Sequence, residues 1–128
     1  MARVLVVDDD KLLALAVLGV LEDAGHTPLL ARQGDALVTD LEHAQYELVL
    51  TDLYMPQVSG WDVARWVERH RPGTPVVALS GALAVPGNED MFDGFAAVMT
   101  KGPEVRKIGE VVSEVLGDVL AYEGPPRQ

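Results

Sequence analysis

The stretch that most constrains the fold of this chain is residues 48–60, LVLTDLYMPQVSG. Its first four residues are apolar or β-branched, which is typical of a strand covered on both faces of a sheet. Pro56 cannot continue a strand and Gly60 tolerates a left-handed turn, so the strand should end beside Asp52. Chemistry in open parallel sheets takes place just outside the carboxyl ends of the strands. Asp52 is therefore the first candidate site residue, although a solvated turn aspartate fits the same pattern.

Length and composition favour one folded domain. The chain has 128 residues, of which 48% are apolar and 23% charged, as in globular proteins. We expect residues 1–122 to form the domain and residues 123–128 a short flexible tail. A net charge of −10 argues against direct nucleic-acid binding. The lack of cysteine agrees with a reducing compartment, and no segment resembles a signal peptide or a membrane span, so a cytoplasmic location away from membranes is predicted.

Apolar runs and helical periodicities alternate along the chain. Strands are predicted at residues 4–7, 26–31, 48–51, 76–79 and 97–100. Helices are predicted at residues 11–24, 34–44, 61–70 and 104–122, with a short fourth helix of at most two turns from about residue 88. Five strands alternating with five helices predict an α/β fold, a doubly wound five-stranded parallel sheet with helices on both faces.

Some predictions concern side chains away from the strand ends. The helical periodicity predicts that Leu12, Leu15 and Leu18 face outward from the first helix. Val98 is predicted to lie in the core. His26 has no metal-ligand spacing to another histidine and is predicted to lie at the surface or at a sheet edge.

Polar residues follow four of the predicted strands: Asp8 and Asp9 the first, Asp52 the third, Ser80 the fourth and Lys101 the fifth. Three carboxylates held together repel one another unless a cation lies between them, and Mg²⁺ prefers carboxylate and carbonyl oxygens. A carboxylate can also attack a phosphoryl group. An ammonium and a hydroxyl nearby would supply charge and a hydrogen bond to the phosphoryl oxygens. The sequence therefore predicts a magnesium-dependent phosphorylation site with Asp52 as the nucleophile.

The segments VLVVDDDK, LVLTDLYMPQVSG and PVVALSGA, with the lysine of VMTKG, resemble the receiver domain of bacterial two-component response regulators. The resemblance covers about residues 3–121. It implies a flavodoxin-like fold with strand order 2-1-3-4-5. It also implies that Asp52 accepts a phosphoryl group from a phosphohistidine on a sensor histidine kinase or a phosphotransfer protein.

The resemblance assigns a role to each of the other site residues. Asp8 and Asp9 look like the acidic pair of the family, and Tyr54 like the residue whose backbone carbonyl ligates Mg²⁺. Ser80 looks like the switch hydroxyl and Lys101 like the phosphate-binding lysine. The function implied is that of a signalling domain rather than an enzyme acting on an external substrate.

Partners follow from the same resemblance. The first helix of receivers docks against the kinase, so its outward leucines are a candidate partner surface. Output is expected to reach a downstream protein through the face formed by the fourth helix, the fifth strand and the fifth helix, and homodimer formation is left open. The prediction is a stand-alone receiver, although a receiver domain cut from a hybrid kinase or a longer regulator would have the same sequence pattern.

The chain departs from the family at two positions near the lysine. Val98 stands where receivers usually have an aromatic residue whose rotation reports phosphorylation. Gly102 stands where the family favours proline, often after a cis bond, and a trans Lys101–Gly102 bond is predicted here because a cis bond without proline costs about 3 kcal/mol.

Two alternatives stay open. The first is a pseudo-receiver that binds a partner without phosphorylation. The second is a phosphatase of the haloacid dehalogenase type, since residues 8–10 satisfy its D-x-D motif and Ser80 and Lys101 could serve it. That class needs a further acidic pair at another strand end after the lysine, where only the last predicted helix and the tail follow here, and it leaves Asp52 without a role.

Overall fold

The computed structural model describes residues 2–81 and 89–120. Its five strands form one parallel sheet in the order β2-β1-β3-β4-β5, which confirms the predicted doubly wound sheet and its implied strand order. The elements are, in chain order, β1 (Arg3–Val7), α1 (Lys11–Asp23), β2 (Thr27–Leu30), α2 (Ala36–His43), β3 (Leu48–Asp52), α3 (Gly60–His70), β4 (Val76–Ser80), β5 (Ala97–Thr100) and α4 (Ile108–Leu120).

The prediction of five helices was wrong for the residues that the structure describes, which contain four α-helices. The predicted short fourth helix falls partly on residues 82–88, outside the described residues, and partly on a 3-10 turn, Glu89–Phe92. Four residues are too few to repay the entropy of nucleating an α-helix. The predicted last helix starts with a second 3-10 turn, Pro103–Lys107, before α4. The predicted tail, residues 123–128, also lies outside the described residues.

The strands bury side chains on both faces of the sheet, because successive side chains of a strand point in opposite directions. Val4 and Val6 of β1 belong to the layer covered by α1 and α4, together with Leu50, Leu79 and Ile108. Leu5 and Val7 belong to the layer covered by α2 and α3, together with Leu41, Val49, Val63 and Val67. Each fully buried branched side chain contributes about 1.5–3 kcal/mol to the free energy of unfolding. Within the described ranges, none of the helices combines the length and hydropathy that crossing a membrane needs.

The outward face of α1 was predicted correctly at two of three leucines. Leu12 is 82% exposed and Leu15 61% exposed, whereas Leu18 packs against the core. The buried stripe of the helix consists of Ala14, Val17 and Leu21. Leu18 follows Val17 directly and lies four residues after Ala14, so it borders that stripe.

Two other predictions of burial were wrong. Val98 is 41% exposed, because β5 turns Met99 rather than Val98 into the core. His26 is buried: its Nδ1 accepts the Ala2 N–H at 3.2 Å, and its Nε2 lies 3.1 Å from the Ser113 hydroxyl oxygen. His26 therefore joins the start of β1 to α4, a contact across more than eighty residues that local spacing does not reveal.

Candidate functional site

The register of the sheet brings the predicted site residues to one edge. Val7 of β1 pairs with Thr51 of β3, so Asp8, the next residue, is level with Asp52. On the other side of β3, Ser80 pairs with Thr100 of β5. The Lys101 N–H donates to the Ser80 carbonyl at 2.8 Å, which carries the lysine to the same edge.

A cluster of opposite charges forms there. Carboxylate oxygens of Asp8, Asp9 and Asp52 all lie within 4.8 Å of one another. The Lys101 Nζ lies 3.1 Å from Asp52 Oδ2 and 4.0 Å from Asp8 Oδ2. Asp8 and Asp52 are buried, whereas Asp9 is exposed. One ammonium faces three carboxylates, so a cation is still needed to balance the negative charge of the cluster.

The surroundings of Asp8 change the pKa of its carboxyl. Burial raises the pKa of Asp8 above its ordinary value, and the negative charges of Asp52 and Asp9 raise it further. The Asp10 N–H, which donates to Asp8 Oδ1 at 2.9 Å, and the Lys101 ammonium lower this pKa without cancelling the rise. The Asp8 carboxylate is therefore held at a free-energy cost that a bound cation would reduce.

The donor set fits Mg²⁺. The ion takes hard oxygen ligands in a small octahedral shell and keeps several waters. Three carboxylate oxygens within 4.8 Å of one another are close enough to contribute to one such shell, and the exposure of Asp9 leaves room for water. The absence of cysteine from the chain also matches a hard cation rather than a thiolate-bound metal.

The loop after Asp52 is held against the start of α3. The Gly60 N–H donates to the Leu53 carbonyl at 2.8 Å. A Cβ at Gly60 would lie 2.4 Å from the Asp52 carbonyl oxygen, so this position needs glycine for space. The positive φ in this loop, 72°, belongs to Gln57 and not to Gly60.

The structure places the remaining predicted residues around the same edge. Ser80 is buried at the end of β4, and Tyr54, two residues after Asp52, is 63% exposed. Gly81 faces the Lys101 side chain, whose Cδ would lie 3.9 Å from an added Cβ. The Lys101–Gly102 bond is trans, as predicted, and Gly102 has a φ of 112°, which favours glycine.

Two features of this region were missed in the sequence. Asp10 is the N-cap of α1, and its carboxylate accepts the N–H groups of Leu12 and Leu13 at 3.1 and 3.2 Å. An aspartate just before a helical apolar pattern is the available signal. Trp61 packs on Tyr54 with ring centroids 5.4 Å apart, a contact that no spacing rule predicts.

Comparison with known proteins gives one family throughout. The sequence model of the response regulator receiver domain family matches residues 4–107. The polar-differentiation response regulator DivK of Brucella anthropi is 31% identical over 123 residues, which cover 90% of this chain and 96% of DivK. The sensor histidine kinase GacS of Pseudomonas protegens is 31% identical over 131 residues, which cover 98% of this chain and 14% of GacS. The chain thus spans a small part of GacS and nearly all of DivK.

Solved structures agree on the fold. The response regulator TrrA of Thermotoga maritima, in complex with Mg²⁺-BeF, has a TM-score of 0.78 at 22% identity, covering 90% of this chain and 99% of TrrA. A CheY-like receiver domain protein of Methanospirillum hungatei has a TM-score of 0.82 at 24% identity, covering 97% of this chain and 99% of that one. These structures support the fold alone, and the sequence matches supply the family. The chain therefore belongs to the response regulator receiver domain family.

Proposed function

We propose that Asp52 is the phosphoacceptor of this receiver domain and that Asp8, Asp9, Ser80 and Lys101 assist the transfer. The observation that carries the proposal is the contact of Lys101 Nζ with Asp52 Oδ2 at 3.1 Å, beside two further carboxylates. Such a site holds a nucleophile and positive charge where phosphoryl transfer requires them. The phosphoryl donor is a phosphohistidine of a sensor histidine kinase or of a phosphotransfer protein.

Transfer needs one bond to form and one to break. An Asp52 carboxylate oxygen attacks the phosphorus, and the phosphorus–nitrogen bond to the donor imidazole breaks, leaving its electron pair on the imidazole nitrogen. The Lys101 ammonium then lies beside the charge that the phosphoryl oxygens bring. The Ser80 hydroxyl donates a hydrogen bond to one of those oxygens in the phosphorylated state.

Mg²⁺ is the proposed cofactor. Asp8, Asp9, Asp52 and the backbone carbonyl of Tyr54 would hold it, and the bound ion would neutralise charge on the phosphoryl oxygens. The presence of Mg²⁺-BeF in the Thermotoga maritima regulator supports the same cofactor here.

Phosphorylation is proposed to change how the domain binds a downstream protein. The surface concerned is formed by the Glu89–Phe92 turn, β5 and α4. A phosphoryl group shifts such an equilibrium only by its difference in affinity for the two states, typically about 1–3 kcal/mol. We also propose that residues 1–122 form the receiver domain and that phosphorylation and partner binding take place in the cytoplasm. Homodimer formation is proposed as a further state of the domain.

Intact-mass spectrometry tests the proposed function directly. The chain is incubated with Mg²⁺ and acetyl phosphate, a small phosphodonor, and the mass gain of one phosphoryl group is expected. Peptide mapping should place it at Asp52 as an acyl phosphate that hydroxylamine removes. A chain that never gains this group under these conditions contradicts the proposal.

Asp8→Asn is expected to stabilise the metal-free protein while removing most of its response to Mg²⁺. Because the pKa of Asp8 is raised on folding, its carboxylate opposes folding at pH values above the folded-state pKa. Replacing it should raise the free energy of unfolding at pH 7 by about 1 kcal/mol. The wild type should gain stability with added Mg²⁺ by mass action, and the variant much less. Thermal melts with and without Mg²⁺ measure both effects.

The pH dependence separates this explanation from a general effect of charge. The advantage of Asp8→Asn should shrink as the pH falls through the folded-state pKa of Asp8 and vanish below its unfolded value, where the carboxyl is protonated in both states. Glu114→Gln, on the exposed side of α4, should change neither the metal-free stability nor the Mg²⁺ response. If Mg²⁺ stabilised the wild type and Asp8→Asn equally, Asp8 would not be a ligand of the metal.

The exposed leucines of α1 are proposed to contact the kinase. Leu12 and Leu15 project from the first turns of α1, the helix that follows Asp8 and Asp9, at 82% and 61% exposure. The double variant Leu12→Gln/Leu15→Gln should slow transfer from a phosphorylated histidine kinase about tenfold, because burying these two apolar side chains at the interface would stabilise the complex. Labelling by acetyl phosphate should be unchanged. Leu29→Gln on β2, which is 51% exposed, is the matched control, and an equal loss with both donors would contradict a docking role.

A further inference from the structure

An aromatic cluster joins the phosphoacceptor loop to the segment that precedes β5. The Trp61 ring lies 5.4 Å from the Tyr54 ring, edge to face, and 6.4 Å from the Phe92 ring, stacked. Phe95 contacts both Trp61 and Phe92 with ring centroids 6.5 Å apart. The Trp61 Nε1–H donates to the Met91 carbonyl at 2.6 Å. One side chain therefore touches the loop after Asp52 and the segment of residues 91–95.

Trp61 is fixed relative to the backbone of Asp52. It is the second residue of α3, whose first turn is held by reciprocal hydrogen bonds between Ser59 and Asp62. The preceding residue, Gly60, donates to the Leu53 carbonyl and leaves no room for a Cβ beside the Asp52 carbonyl. A shift of the backbone at Asp52 or Leu53 must therefore displace the start of α3, and Trp61 with it.

The far side of the cluster is the segment of residues 91–96. Beyond the ring contacts, the backbone bonds of this segment include the Phe95 N–H to the Phe92 carbonyl at 3.1 Å and the Ala96 N–H to the Val76 carbonyl at 2.8 Å. Asp93 and Gly94, which lie between Phe92 and Phe95, are exposed, and Gly94 has a φ of 91°. Within the described residues, the Trp61 ring contacts and the bond to the Met91 carbonyl therefore contribute to the position of this segment.

We propose that Trp61 is a positioning residue that transmits the loading of the Asp52 site, through Tyr54 and the Met91 carbonyl, to residues 91–96. This inference rests on the proposed function, because it requires Asp52 to be loaded with Mg²⁺ and a phosphoryl group. Loading restrains the loop that carries Tyr54, and the restrained loop holds Trp61 against the Met91 carbonyl. Residues 91–96 consequently open less often in the loaded protein. By reciprocity, a partner that binds residues 91–95 strengthens metal binding at the other end.

Amide hydrogen exchange tests the inference in the full chain. Exchange at Phe95 and Ala96 is measured without metal, with Mg²⁺ alone, and with Mg²⁺ and acetyl phosphate, while intact mass gives the fraction phosphorylated. Loading should slow exchange at these amides about fivefold or more in the wild type. Trp61→Phe, which removes the N–H donor and shortens the ring system, should take up the same amount of phosphate and lose that slowing.

Trp66→Phe is the matched control. Trp66 lies on the same helix but stacks on His70, with ring centroids 4.4 Å apart. This variant should therefore keep the full slowing of amide exchange on loading. It also retains Trp61, whose fluorescence is a second reporter of loading. A loss of stability alone would speed exchange in loaded and unloaded Trp61→Phe equally, so the ratio of the two rates is the decisive quantity. The inference is overturned if the ratio of unloaded to loaded exchange rates in Trp61→Phe equals that of the wild type. It is also overturned if exchange is not slowed in the phosphorylated wild type. Failure of the wild type to gain a phosphoryl group is seen in its mass and overturns the proposed function together with the inference.

Discussion

Asp52→Asn is expected to abolish phosphorylation of this chain. The asparagine amide is a poor nucleophile, whereas the Asp52 carboxylate lies 3.1 Å from the Lys101 ammonium at the edge of the sheet where the phosphoryl group must arrive. With Mg²⁺ and acetyl phosphate, the wild type should gain the mass of one phosphoryl group and the variant none. The fold should persist, because the amide has the shape of the carboxylate and removes a charge from a crowded cluster.

Asp10→Asn is the matched control for this experiment. Asp10 lies two residues after Asp8 and is outside the carboxylate cluster, and asparagine caps a helix as well as aspartate does. This variant should be phosphorylated like the wild type. If Asp52→Asn still gained the phosphoryl group while Asp8→Asn did not, the first aspartate would be the nucleophile, as the phosphatase alternative requires. If the wild type gained none, the pseudo-receiver alternative would describe the chain better.

Much of the fold could be predicted because local sequence patterns indicate where the strands and helices lie. Four of the five strands are short apolar runs that end at polar residues, and a parallel sheet covered on both faces needs such runs. The carboxyl ends of parallel strands meet at one edge, so the strand-end residues Asp8, Asp52 and Lys101 could be grouped before any distance was known. Their observed separations, 3.1 and 4.0 Å from the ammonium to the two carboxylates, follow from the register of the successive neighbours β1, β3, β4 and β5.

The errors fall where a residue's surroundings come from distant parts of the chain. His26 is buried by α4, which is more than eighty residues away. Val98 is exposed although it lies in an apolar run, because β5 turns Met99 rather than Val98 into the core. The aromatic partners of Trp61 are up to 34 residues away along the chain. Periodicity reports which residues share a face, and it does not report what covers that face.

The departures at Val98 and Gly102 have separate consequences. Val98 is an exposed aliphatic side chain, so it cannot act as a rotating aromatic reporter of phosphorylation. Gly102, with its φ of 112°, turns the chain back toward Thr100. The Glu104 carboxylate then accepts hydrogen bonds from the Thr100 N–H, at 2.9 Å, and from the Thr100 hydroxyl. The Thr100 hydrogen bonds lower the pKa of Glu104. The end of β5 is therefore secured without the proline that the family favours, and the lysine keeps its place beside Asp52.

Gly60→Ala is expected to lower the free energy of unfolding by about 3 kcal/mol, at the upper end of the range for overpacked sites. The new Cβ would lie 2.4 Å from the Asp52 carbonyl oxygen and 2.9 Å from the Leu53 Cα. Both atoms belong to the backbone, so neither can move by a change of side-chain rotamer. Gly60 does not have a positive φ, and the whole penalty is therefore one of space. Urea unfolding followed by circular dichroism measures the change.

Gly19→Ala provides the matched control, because Gly19 lies inside α1 and, apart from its chain neighbours and the backbone of its own helix, no atom lies within 4 Å of an added Cβ. There alanine should raise the free energy of unfolding by about 0.5–1 kcal/mol, since glycine is a poor helix former. Opposite signs for the same chemical change would show that contact with Asp52 and Leu53 makes Gly60 necessary. The folded fraction of Gly60→Ala should also gain its phosphoryl group about a hundredfold more slowly, because the new Cβ presses on the Asp52 and Leu53 backbone and shifts the Asp52 carboxylate away from Lys101. Wild-type stability in Gly60→Ala would mean that α3 can withdraw from the sheet, and a wild-type labelling rate would mean that the acceptor does not depend on that contact.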